Sequence, residues 1–365
     1  MPYKRVTKSI QFPKAFGATS DAAILSQAAI LLLMEPGLRR NRVMLSEYRS
    51  ARRTLRVPAI SATGRRVKVE EVESALRLRP LSAARQSLPA TRFRRLASDL
   101  AKKKNHVAAA SLMEASLRHP QPLVRAAAAI SYFGLTSEPS RLIGILEDCT
   151  RSNDELVRAV AATGLARLAP ESPWLSALSK PPPRRRRGAS AHTSLLIHGT
   201  WAANEQWWKP GGNFHSYLLN GIRPDLYANA DAFSWSGIYS EAARAIAATE
   251  LQGWLAGHTI QNPYLLTHSH GGSVAMLATQ NGLNTGPLVL LSCPVHSMYM
   301  PDFARTGRVV SIRVKLDLVI LADGGGQKFS DPRITERVLP IWFDHSATHD
   351  PAVWQRYNLR SVIPP

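Results

Sequence analysis

The sequence is poor in cysteine and lacks a hydrophobic run long enough to cross a membrane. Its 365 residues include two cysteines, Cys149 and Cys293, which are far apart and without metal-ligand spacing. This spacing excludes a disulfide framework and favours a reducing compartment, the cytoplasm. The apolar stretch AAILSQAAILLLM, residues 22–34, is too short to span a bilayer and predicts a buried or amphipathic helix. A cleaved targeting segment is the alternative, although Glu35-Pro36-Gly37 replaces the small residues of a cleavage site.

Acidic residues are scarce in the N-terminal half. Residues 1–190 hold 34 Lys and Arg against 14 Asp and Glu, a balance of +20, whereas residues 191–365 hold 12 of each. This asymmetry predicts that residues 1–190 contact an anionic membrane surface or an acidic protein partner, or else form a solvated arginine-rich face. Nucleic acid is less favoured, because aromatic residues that could stack on bases are sparse there. The oligomeric state stays open.

An internal repeat lies in this basic half. PLVRAAAAISYFGL, residues 122–135, aligns with ELVRAVAATGLARL, residues 155–168, at an offset of 33 residues. Alanine-rich helices at such a period are typical of helical solenoids, and the two units resemble HEAT repeats, which bind partners. An ordinary helical bundle is the alternative.

Composition places one domain boundary at the segment SKPPPRRRRGASAH, residues 179–192, where three prolines stiffen the chain and four arginines solvate it. We therefore predict a multidomain chain in which an all-α region precedes an α/β domain. The predicted segments are a basic N-terminal segment and helix at 1–40, an arginine-rich HEAT-like region at 41–180, a Pro/Arg linker at 181–192 and the α/β domain at 193–365.

The C-terminal half is organised around the stretch YLLTHSHGGSVAMLA, residues 264–278. Its apolar start predicts a buried strand, its small residues a turn, and its remainder has helical spacing. A strand, a sharp turn and a helix with Ser269 at the apex form the context that a nucleophile elbow requires. Gly271 is as small as that turn demands, but Thr267 stands where the G-x-S-x-G pattern has glycine. The alternative is a turn whose serine only caps the helix.

These residues resemble the α/β-hydrolase superfamily in its serine esterase and lipase branch. The resemblance covers residues 190–365 and implies a mostly parallel sheet, which we expect to have about six strands, one of them at Ala228–Gly237. It also implies that the pair His198-Gly199, after an early strand, begins the oxyanion loop. The oxyanion donors would then be the backbone N–H of His270 and that of Thr200 or Trp201.

The same resemblance assigns a catalytic triad in the chain order Ser269, Asp317, His345. Asp317 would follow a strand in KLDLVI, and His345 would follow the last strand, before a closing helix. Asp323 is the rival acid and His349 the rival base. His198, Gly199, Trp207 and Trp208 are the candidate substrate-pocket residues, although the two tryptophans serve equally well as core aromatics.

The sequence therefore predicts a serine hydrolase acting on an ester substrate, including lipids, with no organic cofactor and no metal ion. The serine is flanked by His268 and His270, but neighbouring turn positions point apart, which disfavours a metal site. Peptidase, thioesterase and acyltransferase reactions use the same triad and stay open. The alternative outside enzymology is a binding protein in which the hydrolase fold is degenerate and the helical region does the work.

Overall fold

The computed structural model describes residues 20–33, 113–136, 139–178 and 193–365. Residues 41–112 of the predicted HEAT-like region and the whole predicted linker 181–192 therefore lie outside the described residues. The helices of the N-terminal half are α1 (Ser20–Leu33), α2 (Pro122–Thr136), α3 (Ser140–Cys149), α4 (Glu155–Leu168) and α5 (Pro173–Leu178). The helix predicted from the apolar run at residues 22–34 is thus present as α1. Among the described residues, no helix is both long and apolar enough to span a bilayer.

The C-terminal half contains one parallel sheet whose strands follow one another in chain order. The strands are β1 (Ser194–Ile197), β2 (Tyr264–His268), β3 (Leu288–Leu291), β4 (Val309–Val314) and β5 (Ile334–Leu339). The helices are α6 (Asn213–Gly221), α7 (Glu241–Gly257), α8 (His270–Gln280), α9 (Leu318–Asp323) and α10 (Pro351–Arg356), with 3₁₀ turns at His345–His349 and Leu359–Ser361.

Both faces of the sheet are covered, so every residue of β1 to β4 is buried. Leu195, Ile197 and Leu265 point into a core shared with α7 and α8. The alternate residues Leu196 and Leu266 point into a second core shared with α6 and α10. Because all five strands run parallel, their carboxyl ends meet at one edge of the sheet, where the candidate site lies.

The prediction of about six strands is wrong, because Ala228–Gly237 is not a strand. The residues just before it form a single bridge with β1, between Ser194 and Leu226. Backbone bonds run there from Ser194 N to Asp225 O at 3.2 Å and from Tyr227 N to Ser194 O at 2.8 Å. The following residues run as a loop whose apolar side chains, such as Trp235, are buried. Burial of these aromatic side chains produced a strand-like pattern without a hydrogen-bonded ladder.

The N-terminal helices share a hydrophobic core with the C-terminal half. Side chains of α1, α2 and α4 pack with Leu321 of α9 and with Phe343, which lies just before the 3₁₀ turn His345–His349. The guanidinium of Arg167 also donates to the carbonyl of Ala322, at 2.6 Å. These contacts place the helical region directly against the short helix that carries the two candidate acids.

The two repeated stretches form α2 and α4. Asp154 caps α4 by accepting from the N–H groups of Leu156 and Val157, and α3 packs against both repeat helices. These helices agree with the predicted repeat units, and their assignment to HEAT repeats stays a prediction.

Candidate active site

Ser269 occupies a strained position between β2 and α8. Its φ is +54° and its ψ is −133°, a conformation that costs a non-glycine residue on the order of 1–3 kcal/mol. The backbone is held on both sides of the serine. Ser269 N donates to Leu291 O at 2.8 Å, and Ser269 O accepts from Gly272 N at 2.9 Å. The predicted strand, sharp turn and helix, with Ser269 at the apex, are therefore present in the backbone.

Small residues around the serine are required by close backbone contacts. A Cβ on Gly271 would lie 2.5 Å from the carbonyl oxygen of His198, and one on Gly199 would lie 2.6 Å from the Cβ of Ser269. Thr267 is tolerated where the pattern has glycine, because its hydroxyl donates to Val289 O on the neighbouring strand at 3.0 Å. The threonine that replaces the first glycine of G-x-S-x-G is thus buried with its hydroxyl hydrogen-bonded.

Asp317 is fully buried and holds two groups at once. One carboxylate oxygen caps α9 by accepting from Val319 N and Ile320 N, at 3.0 and 3.2 Å. The other accepts from the Nδ1–H of His345 at 2.7 Å. Gln327 fixes the backbone of Asp317 from both sides, since its Oε1 accepts from Asp317 N and its Nε2 donates to Asp317 O. The acid and the base predicted from the sequence are therefore in contact.

His345 lies beside the elbow. Its ring centroid is 4.7 Å from that of His268, which precedes the serine, and His268 Nε2 donates to the His345 carbonyl at 3.2 Å. Burial alone would lower the pKa of His345, but the Asp317 carboxylate outweighs burial and raises it. Asp344 and Glu155, at the start of α4, act in the same direction.

Both rival residues are engaged elsewhere. His349 is buried and stacks on Trp207, with ring centroids 4.0 Å apart and an interplanar angle of 11°. Asp323 accepts hydrogen bonds from His270 and His296. The geometry therefore favours the pair Asp317 and His345 over either rival.

The predicted oxyanion loop follows β1, and its Gly199 lies directly against Ser269. His270 is the first residue of α8, where helix geometry leaves the backbone N–H without an intrahelical acceptor. Of the two alternative donors, Trp201 is occupied, because its N–H donates to Gly237 O at 3.0 Å. The backbone N–H of Thr200, which follows Gly199, is therefore the remaining candidate for the second oxyanion donor.

His198 anchors this loop from beneath. Its Nδ1–H donates to Gly199 O at 2.8 Å, and its Nε2 accepts from the hydroxyl of Ser234 at 3.1 Å. Burial lowers the pKa of His198 to about 4, so the ring is neutral. The predicted pocket residue is thus a buried support of the loop.

The two predicted pocket tryptophans pack in the core between the sheet and α6. Trp208 packs against His198, with ring centroids 4.5 Å apart, and donates from its indole N–H to Ala202 O at 2.7 Å. Trp207 covers His349 and the edge of His268. Their placement agrees with the core-aromatic interpretation.

Residues that the sequence analysis missed surround Asp323. Tyr239 and His296 donate to its carboxylate, and the buried Arg244 lies over the ring of Tyr239. Among the described residues, His270, His296 and Asp323 form the one group with metal-ligand atoms close together, within 4.8 Å of one another. These residues come from three separate loops and helix ends, so no local motif marks them.

Comparison with known proteins agrees with the fold. Residues 195–362 match the family described as Alpha/beta hydrolase family. No curated protein matches the chain. The matched residues contain all five parallel strands except the first residue of β1, together with the elbow and the Asp317–His345 pair. The C-terminal half of the chain is therefore an α/β-hydrolase domain.

Proposed function

We propose that the C-terminal domain is a serine hydrolase that cleaves carboxylic esters through an acyl-enzyme on Ser269. The observation that carries this proposal is a strained serine beside a partly buried imidazole, which is hydrogen-bonded to a fully buried carboxylate. A serine that only capped α8 would bond to that helix, yet the Ser269 hydroxyl makes no capping bond to this fully described helix. The strain is better explained by a need to expose the hydroxyl to a substrate.

In the proposed acylation step, the oxygen of Ser269 attacks the ester carbonyl carbon while His345 Nε2 takes the hydroxyl proton. Asp317 accepts from Nδ1–H, which leaves Nε2 as the basic nitrogen and stabilises the imidazolium that forms. The carbonyl oxygen becomes an oxyanion that accepts from His270 N–H and Thr200 N–H. Each such donor contributes on the order of 3 kcal/mol to transition-state stabilisation.

The tetrahedral intermediate then expels the alcohol, which takes the proton from His345. Water attacks the acyl-enzyme, giving its proton to His345, and the carboxylic acid leaves as Ser269 regains its proton. Every group in this cycle is supplied by the chain and by water. The same steps serve peptide bonds, thioesters and acyl transfer, so the ester is proposed on the esterase-like resemblance of the elbow.

A panel of p-nitrophenyl esters with acyl chains of increasing length tests this function. We expect full-length protein to hydrolyse at least one chain length and Ser269→Ala to be inactive. Ser361→Ala is a matched control, because Ser361 is an exposed serine of the 3₁₀ turn Leu359–Ser361 and lies outside the proposed chemistry. Absence of Ser269-dependent hydrolysis across esters, thioesters and peptides would contradict the proposal and favour a binding role.

A further inference from the structure

Asp323 is the centre of a buried hydrogen-bond cluster next to the elbow. Its Oδ1 accepts from the hydroxyl of Tyr239 at 2.5 Å and from His270 Nε2 at 3.1 Å. Its Oδ2 accepts from His296 Nε2 at 2.7 Å. Three donors from three different parts of the chain therefore converge on one carboxylate, whose side chain is 4% exposed.

The protonation states of Asp323 and His270 determine which hydrogen bonds the His270 ring makes, and so its orientation. Burial alone would raise the pKa of Asp323, but the two imidazoles outweigh burial and hold it well below its usual range. The carboxylate is thus charged and can only accept. Burial lowers the pKa of His270, so this ring is neutral, donates from Nε2 and accepts from the hydroxyl of Ser273 at Nδ1, at 3.1 Å. Both ring nitrogens are engaged, which leaves the His270 side chain one orientation.

The same three side chains have the spacing of metal ligands, but their hydrogen bonding argues for a different role. Both oxygens of Asp323 and both ring nitrogens of His270 already have partners. Burial, and to a smaller extent the guanidinium of Arg244, lower the pKa of His270. Asp323 raises the pKa of His296 against both burial and Arg244, so positive charge already faces the cluster. A second cation there would be repelled.

Two members of this cluster are close in sequence to the proposed catalytic residues. Asp323 is the last residue of α9, and Asp317 is the residue that caps the start of the same helix. His270 is the first residue of α8, directly after Ser269. The bond between Asp323 and His270 therefore joins the helix that follows the triad acid to the helix that follows the nucleophile.

We propose that Asp323 is a positioning residue that holds the N–H of His270 in the oxyanion site relative to Asp317 and His345. This inference rests on the proposed function. Because a displacement of about 1 Å at a reacting centre can lower a rate by 10²-fold, loss of the bond acts on the transition state and leaves ground-state substrate binding unchanged. Contact between α9 and α4, through Arg167 and Ala322, supports the helix from its other side.

The test uses full-length Asp323→Asn. The amide NH₂ of asparagine faces an N–H of one histidine, so one bond of the cluster is lost and the charge disappears. We expect the rate constant for labelling by a fluorophosphonate to fall about 10- to 100-fold, with KM for the best ester unchanged. Affinity for an alkyl boronic acid, which forms a tetrahedral adduct on the serine, should fall by the same factor as kcat/KM.

Asp231→Asn is the matched control, because Asp231 also accepts from a tyrosine and a histidine, Tyr227 and His258, against the far end of α7. It should label at the wild-type rate. If Asp323→Asn does not fold, Tyr239→Phe removes one donor without leaving a cavity and should slow labelling several-fold at unchanged KM.

The outcomes separate the inference from the proposed function. A wild-type protein that neither labels nor hydrolyses refutes the function itself. An active wild type with unchanged rate constants in Asp323→Asn, or in Tyr239→Phe where the former is unfolded, overturns the positioning role. Calorimetric binding of one Zn²⁺ per wild-type chain, absent in Asp323→Asn, would also overturn it in favour of a metal centre.

Discussion

Replacement of Asp317 by asparagine separates the catalytic role of this residue from its structural role. The side chain uses one oxygen to cap α9 and the other to hold His345. Asparagine keeps one acceptor oxygen, which the two N–H groups of the cap will occupy. Its NH₂ group then faces His345 Nδ1, where the wild type has an acceptor.

That reversal changes the tautomer of His345. With a donor opposite Nδ1, the neutral ring carries its proton on Nε2 and cannot accept the proton of Ser269. In a serine hydrolase of unrelated fold, the corresponding change lowers kcat by about 10⁴-fold, which equals about 5.5 kcal/mol of transition-state stabilisation. Folding stability should change by less than about 1 kcal/mol, because the cap is kept.

Steady-state hydrolysis of the best ester and urea unfolding, measured on the same preparations, check both parts. Asp317→Ala is the comparison, since it removes the cap as well. It should lower the free energy of unfolding by about a further 0.5–2 kcal/mol. Activity of Asp317→Asn within tenfold of wild type would refute the assignment of the triad acid. A loss of activity that followed the loss of stability would refute the separation of roles.

Three further predictions follow from the geometry. Gly199→Ala should slow fluorophosphonate labelling at least about 100-fold, because the new methyl group would lie 2.6 Å from the Cβ of Ser269. Gly144→Ala is the control and should label at the wild-type rate, because the space around Gly144 is open. The pH profile of kcat/KM should rise through a midpoint above 6.5, because the raised pKa of His345 keeps it protonated and inactive at lower pH; a midpoint below 6.5 would contradict this. Sedimentation of the protein with vesicles should require anionic headgroups and should weaken as salt is added. It should also decrease when the four arginines at 184–187 are replaced by glutamate. Equal binding to neutral vesicles would contradict a role for the basic half.

Much of the fold could be predicted because local patterns and buried packing agree. The apolar runs before Ser269 and Asp317 are buried on both faces of the sheet, so their strands were visible in the sequence. Ser240 is a residue type that commonly caps helices, and its hydroxyl accepts from Ala243 N at 3.0 Å at the start of α7. The strand predicted at Ala228–Gly237 failed because burial of its aromatic side chains does not require a ladder.

The site was predictable where one short motif carried it. Ser269 lies in such a motif, and Asp317 and His345 follow strand ends. In contrast, the partners of Asp323 come from a loop before α7 and a loop after β3, so only the folded chain brings them together. The predicted donor Trp201 likewise could not be rejected from sequence, because its acceptor, Gly237, lies 36 residues away.

The central claim is that Ser269 is an activated nucleophile. Intact-mass and peptide-mapping mass spectrometry of full-length protein after reaction with a fluorophosphonate test it most directly. We expect one adduct per chain, located on Ser269, and none in Ser269→Ala or in protein unfolded in urea before the reaction. An unlabelled folded wild type, or an adduct on any other residue, would contradict the account.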